Sequence, residues 1–406
     1  MEALRKHLEG VRVIDLTAYL AGPFLSIHLA ALGAEVIKVE RPGVGDPTRI
    51  GSPFAGPRGV GFEGRRPEDI ALVHLKRNRG KKSITLDLKS KRGVEIFRLL
   101  VAEGDVVVEN FAPGTMESFG LDYAVLQGIN PRIIFCSISG YGQSGPYRNR
   151  TAFDLTIQAT SGMMAVTGYP DGPPLRCGPW VGDQVPALYG LVGILAALVS
   201  RERTGQGERI DISMQDCCFS LVMDESLDIL VSREVPTRQG NRNPRVTPWN
   251  VFPTKDGNIA ICIFANEHWK VFLEAIERGD CLKDPRFENL EDRVDHMEEV
   301  EAVVTEWSRN RSTEEALRTL RKRKIPCDPV LEDPQLKARG MIQELEHPLN
   351  PKTGAKTAGF PIRFSARPVE NISPAPLLGH NNEEIYRGLL GLSKEEMEEL
   401  RKEKVI

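Results

Sequence analysis

The chain has 406 residues, 41% of them apolar and 27% charged, and a formal charge of −3. This is the composition of a globular protein long enough for two domains, and its near-balanced charge gives no reason to expect nucleic acid or an anionic membrane as partner. Seven cysteines without a CxxC fit reduced thiols in the cytoplasm, and seven histidines without ligand spacing argue against a metal site. The N-terminal residues MEALRKHLEG lack the apolar stretch of a signal peptide. The longest apolar run, Ala187 to Val199, is expected to be too short to span a bilayer and is interrupted by two glycines.

In chain order, VRVIDLT (11–17) reads as a buried strand, AGPFLSIHLAALGA as the helix after it and AEVIKVE (34–40) as a second strand. This is the opening of a doubly wound sheet. The second strand ends in an acid, Glu40, as in dinucleotide-binding folds, but the first turn is TAYLAGP. Without a GxGxxG it cannot cradle a pyrophosphate, which excludes the usual nicotinamide or flavin site. Residues 43–76 are rich in Gly, Pro and Arg and read as a surface excursion. Around the short strand 83–88 stand Arg79, Lys81, Lys82 and Lys89. They are either the solvated cations of an edge strand or a landing place for phosphates. A helix (93–102), the strand DVVVEN (105–110), the strand RIIFCSISGYG (132–142) and a helix at 152–164 follow. Strands alternating with helices argue for a mostly parallel sheet.

Gly182-Asp183 opens a helix that is apolar almost all round, the mark of a buried helix. Gly205 and Gly207 end it. An aspartate at such a place is in the first instance an N-cap. The adjacent Cys217 and Cys218 read as packing. Beyond them 233–250 is basic and Pro-rich and reads as a linker, VFPTKDGNIAICIF as a hairpin turning at Asp256-Gly257, and three segments between 267 and 324 as amphipathic helices. A smaller α+β domain follows from this, with the C-terminal residues returning to the first domain.

Several ordered motifs, among them VRVIDLTAYLAGP, LGAEVIKVERPGVGDPTR, NRGKKSITLDLKSKRG, VVVENFAPGTMESFGLDY and VGDQVPALYGLVGILAALVSRERTGQGERIDISMQD, resemble the class III CoA-transferases of the formyl-CoA and carnitine CoA-transferase type. The resemblance covers almost the whole chain. It implies an α/β fold with a Rossmann-like large domain built from both chain ends (1–215 and 346–406), linkers at 216–250 and 326–345, and a small α+β domain at 251–325. It further implies an interlocked dimer of identical or homologous chains.

The resemblance makes Asp183 the nucleophile, carrying CoA as an aspartyl thioester between a succinyl-CoA-like donor and a carboxylic acid acceptor, with no tightly bound cofactor. The positive end of its helix is expected to favour its ionised form. For CoA the matching positions are Tyr19, Leu20, Ala21, Arg41, Leu86, Lys89, Asn110, Phe111, Gly140 and Tyr141. The Gly140–Gly145 loop is a candidate source of oxyanion donors. Ser118 and Ser139 depart from the formyl-CoA transferase pattern, where an arginine and a lysine stand. That speaks against formyl-CoA and oxalate as substrates.

Two alternatives stay open. α-Methylacyl-CoA racemases share the Gly-Asp pair but need a histidine where this chain has Phe153, and a heterodimer could contain a non-catalytic subunit. For the acceptor, a dicarboxylate or aryl-substituted acid such as benzylsuccinate is expected, drawing on 20–30, 140–180 and the loop with Arg242, Arg245 and Trp249. Arg242 and Arg245 could hold a second carboxylate, but the preferred reading is linker surface charges. His28, His74 and His380 read as structural.

Overall fold

The computed structural model describes residues 6–63, 66–223, 238–331, 341–369 and 372–406. Six strands form one sheet: β1 (Arg12–Asp15), β2 (Glu35–Glu40), β3 (Lys81–Thr85), β4 (Val106–Glu109), β5 (Ile134–Ser139) and β6 (Arg209–Ser213). Their order is β3-β2-β1-β4-β5-β6 and every neighbouring pair is parallel. This is the order of a doubly wound dinucleotide-binding sheet, whose direction of winding reverses between β1 and β4. In such sheets ligands lie outside the carboxyl ends of the strands at that reversal. Here the loops leaving those ends begin at Leu16 and Asn110.

Six helices matter to the site: α1 (Ala21–Ala31), α2 (Leu72–Arg77), α3 (Lys91–Ala102), α4 (Asp154–Thr160), α5 (Val181–Thr204) and α6 (Met214–Val222). Both faces of the sheet are covered, so its strands carry apolar residues on both sides. On one face Val13, Val108 and Ile134 pack with Leu25 and Leu29 of α1 and Ile194 of α5. On the other, Ile14, Ile37 and Val107 pack with Phe97 of α3 and with Tyr386 and Leu400 from the end of the chain. The chain's end also seals the edge strand. Asn381 and Asn382 accept the N–H groups of Ser83 and Thr85 at 2.9 Å, and the Tyr386 hydroxyl donates to Thr85 O at 2.6 Å.

At 24 residues and a mean hydropathy of 1.5, α5 is long and apolar enough to cross a membrane, contrary to the sequence expectation. Its Ala187, Ile194 and Ala197 are nonetheless packed in the sheet's core, and Arg201 pairs with Asp105 at 3.0 Å.

A buried ionic network lies beneath the crevice. Lys81 Nζ donates to Asp15 (2.9 Å) and Asn78 (2.8 Å), Lys38 pairs with Asp46 (3.0 Å), and Arg49 grips both oxygens of Glu40 (2.7 Å each). Three carboxylates thus meet three cations, all buried. Burial alone would raise the Asp15 carboxyl, but Lys81 and Lys38 outweigh it and hold it far below the usual range. One sequence reading is corrected. Lys81 is neither a solvated edge cation nor a phosphate partner, because β3 turns it inward onto Asp15 while Lys82 points out to Glu35 and Glu384. The carboxylate of Glu40, the acid that ends β2, is occupied by Arg49, Ser83 Oγ and the Asp46 N–H.

The chain divides into two compact units, one of residues 1–163, 177–224 and 336–406, the other of 164–176 and 225–335. In the second, antiparallel strands β7 (Trp249–Pro253), β8 (Asn258–Cys262) and β9 (Cys327–Pro329) pack with helices α7 (Asn266–Ala275), α8 (Met297–Arg309) and α9 (Thr313–Lys322) around Trp269, Phe272 and Trp307. The start of the expected first linker is helical instead. Ser213 Oγ caps α6 by accepting the Asp216 N–H, and Cys218 and Val222 are buried. Much of the remaining linker sequence, 224–237 and 332–340, lies outside the described residues.

Replacing Lys38 by Met should cost roughly 3–5 kcal/mol, because it leaves a carboxylate buried without its cation. Lys82→Ala, which removes a half-exposed cation, should cost no more than about 1 kcal/mol. Denaturant unfolding of the two variants checks the contrast.

Candidate active site

The loop after β1 is held from several directions. Asn110 Oδ1 accepts the Ala18 N–H and its Nδ2 donates to Ala18 O, both at 2.8 Å. Lys38 Nζ donates to Thr17 O at 2.6 Å, and Arg77 Nη1 donates to Tyr19 O at 3.0 Å. Tyr19 itself has φ +67°, a left-handed conformation costly for a bulky residue. Strain of this kind persists only where the surroundings over-determine the backbone, and here three carbonyls and an amide are fixed from outside the loop. The Asn110 amide is therefore spent on the protein's own backbone.

Asp183 enters from the opposite side. The residue preceding α5 is Trp180, so Asp183 stands third in the helix and the N-cap reading is overturned. A different carboxylate serves the helix end. Asp154 Oδ1 accepts the Gly182 N–H (2.8 Å), its Oδ2 accepts from Gln158 Nε2 (2.8 Å), and Gln158 Oε1 accepts the Cys177 N–H (2.8 Å). This clamp requires glycine at 182, where a Cβ would come within 2.7 Å of Asp154 O.

Among the described residues no donor reaches the Asp183 carboxylate. Burial, then the like charge of Asp154, push its pKa up to about 7 against the opposing charge of Arg77. Asp154 already accepts the N–H of Gly182 at the start of α5. A carboxylate with few donors and a like charge beside it is a better nucleophile and base than a solvated one.

Two neighbouring cavities gather the candidate positions, and the second is lined by Asp183. The first, about 290 Å³, is lined by Tyr19, Arg41, Leu86, Lys89, Phe111 and Phe119 among others. The second, about 350 Å³, shares Tyr19 and Phe111 with it and adds Leu20, Ala21, Asn110, Gly140 and Asp183. The fold thus gathers nine of the ten non-catalytic candidate positions with Asp183. The exception is Tyr141, whose ring packs edge-on against Tyr147 at 5.8 Å. Within the glycine loop the Gln143 N–H is already taken by Asp211 (3.0 Å), which removes one candidate oxyanion donor. Phe153 lines the Asp183 cavity and meets Tyr19 edge-on at 5.8 Å.

The sequence reading missed Asp154, Arg77, Arg148 and Arg150, the last two lining the Asp183 cavity. In the second unit Arg242 is bound through both nitrogens by Glu301 (2.5–3.0 Å), so the surface-charge reading accounts for it. Arg245 and Trp249 belong to the same unit. His28 is half-buried with Nδ1 against Phe24 O, and His74 is fully buried beside Thr48 and Asn78.

A family model described as CoA-transferase family III matches residues 8–382. A succinate–glutarate CoA-transferase of Agrobacterium fabrum is 34% identical over 94% of this chain and 95% of its own length. A formyl-CoA:oxalate CoA-transferase of Streptomyces avermitilis is 35% identical over 99% and 100%. The crystal structure of a CAIB/BAIF family protein from Brucella suis superposes with a TM-score of 0.80 at 35% identity, covering 95% of this chain and 100% of that one.

The fold favours the protonated form of Asp183, since its pKa of about 7 lies above the ordinary 3.8. Its contribution to stability is therefore complete below about pH 4 and is lost as pH rises through about 7. Asp183→Asn removes this titration. Its melting temperature relative to wild type should be higher at pH 8 than at pH 4; a pH-independent difference would contradict the burial argument.

Proposed function

The chain belongs to CoA-transferase family III and is a CoA-transferase, and we propose that it passes CoA from a succinyl-CoA-like donor to a dicarboxylic acid through a covalent thioester on Asp183. The observation that carries the reading is that Asp183, unbonded by any described donor, lines a cavity that shares Tyr19 and Phe111 with the neighbouring cavity of Arg41 and Lys89. Those two cations suit the phosphates of CoA. Leu86 and Phe111 offer an apolar wall along the path, and the Thr17–Ala21 loop an ordered backbone.

The Asp183 carboxylate attacks the thioester carbonyl of the donor; the C–S bond breaks, leaving a mixed anhydride and CoA thiolate. The thiolate attacks Asp183 Cγ, the anhydride C–O bond breaks, and the donor acid leaves as a carboxylate. The acceptor carboxylate then attacks Cγ and expels the thiolate. Attack of that thiolate on the acceptor's acyl carbon gives the new acyl-CoA and restores Asp183. Each step carries one negative charge through, so neither ATP nor a redox partner is required, and one difficult exchange becomes several easier ones.

Relatives named for glutarate and oxalate support a dicarboxylate acceptor; their similar identities leave the donor to the residues. Ser118 and Ser139 favour succinyl-CoA over formyl-CoA, and benzylsuccinate falls within the acceptor class. Phe153, in place of a titratable residue, speaks against two-base racemisation. We extend the proposal to an interlocked dimer, with an identical or homologous chain, in the cytoplasm. Apolar side chains on α5, with Val192 and Val199 each 63% exposed, support a second chain covering that face.

Initial velocities should give the parallel double-reciprocal lines of a ping-pong reaction, and Asp183→Asn should lose at least about 10³-fold in kcat. Intersecting lines, or an active Asn variant, would refute the covalent route. The rate of the first half-reaction should rise with pH through about 7. Asp154→Asn, by removing the like charge, should move that midpoint lower; an unmoved or higher midpoint would contradict the role given to Asp154.

A further inference from the structure

A third cavity, about 400 Å³, shares Leu20 with the cavity that holds Asp183. It is lined by Trp180 and Gln184, which bracket Asp183 in the first turn of α5, though not by Asp183 itself. Both residues are tied to that turn, since Trp180 O accepts the N–H groups of Asp183 (3.2 Å) and Gln184 (2.9 Å). The rest of the wall is mostly carbon, from Phe24 and Ile27 of α1 to Met341, Phe360 and Pro361. His28 adds no charge, because burial lowers its pKa.

Three cations line the same space, Lys76, Arg77 and Arg79, and among the described residues none of them is paired with a carboxylate at salt-bridge distance. Arg77 commits Nη1 to Tyr19 O, and its charge acts on Asp183. Arg79 commits Nη2 to Ala358 O at 3.1 Å, while its buried Nε has no partner. A buried charged donor without an acceptor calls for an explanation, and an anionic ligand supplies one.

We infer that this cavity receives the body of the acceptor acid: a dicarboxylic acid with a bulky apolar or aryl substituent, its reacting carboxyl at Asp183 and its second carboxylate on Arg77 and Arg79. The inference rests on the role proposed for Asp183. A volume of about 400 Å³ leaves room for a substituent beyond the four carbons of the donor acid. A carbon wall with a few converging charges is the pattern by which such pockets fix orientation. Arginine donors in fork geometry suit a carboxylate better than lysine does.

The test uses the full-length enzyme with succinyl-CoA as donor and follows each acyl-CoA product. In a ping-pong scheme kcat/KM for the acceptor reports the second half-reaction alone. Wild type should prefer 2-benzylsuccinate over glutarate, and over 4-phenylbutyrate, which lacks the second carboxylate. Arg77→Gln should reduce the benzylsuccinate-to-phenylbutyrate ratio of kcat/KM by at least about tenfold. Ala358→Phe, which narrows the cavity without removing a charge, should reduce the benzylsuccinate-to-glutarate ratio by about tenfold.

Preference for glutarate in wild type, or ratios that neither variant moves, overturns the inference. So does an Ala358→Phe variant that changes only the oligomeric state, which would make the cavity an assembly contact. Failure of the underlying reading looks different: Asp183→Asn would then turn over glutarate normally.

Discussion

Asp154 is buried at the mouth of α5 and accepts the Gly182 N–H at 2.8 Å. That bond fixes where the following side chain points, and the charge behind it fixes how readily that side chain ionises. Asp154 takes the Gly182 N–H, no described donor reaches Asp183, and burial with the Asp154 charge raises the Asp183 pKa. Its pKa of about 7 leaves it substantially ionised at neutral pH yet poorly stabilised there. A carboxylate in that condition gains by forming a covalent bond that neutralises it, and this is what an acyl acceptor in a relay of anhydrides and thioesters requires.

The clamp works because the other side of the crevice is equally rigid. Lys38 ties Thr17 O to a buried network of three cations and three carboxylates, and Asn110 locks Ala18 by both its backbone groups. Arg77 joins the two halves of the site: its guanidinium holds Tyr19 O, and its charge opposes the rise in the Asp183 pKa. Buried ion pairs are poor sources of net stability, but removing one partner is costly. The network is therefore better understood as holding the strained loop around Tyr19 in one conformation than as a store of folding energy.

Much of this was legible in the sequence, and the limits have physical causes. The strand–helix–strand opening and the apolar helix after Gly182 follow from periodicity, and the ordered motifs identified the family. Period-two alternation puts Lys81 and Lys82 on opposite faces of β3, but it does not say which face is buried; only the sheet order reveals that Asp15 waits on the inner side. Asp154 lies 28 positions before Gly182, and nothing in the spacing connects them. Glu40 ends β2 as an acid does in dinucleotide-binding folds, and only the structure shows that Arg49 holds it. Chain-end residues such as Asn381 and Asn382 read as motif without mechanism, and their bonds to β3 supply one.

The claim on which everything else depends is that Asp183 becomes covalently attached to CoA. The direct measurement is to incubate the enzyme with succinyl-CoA without acceptor, quench with hydroxylamine or borohydride, and map the modified residue by peptide mass spectrometry. The account predicts a hydroxamate or a reduced side chain at Asp183 alone, absent from Asp183→Asn. Modification at another residue, or none in an enzyme that turns over under the same conditions, would contradict it.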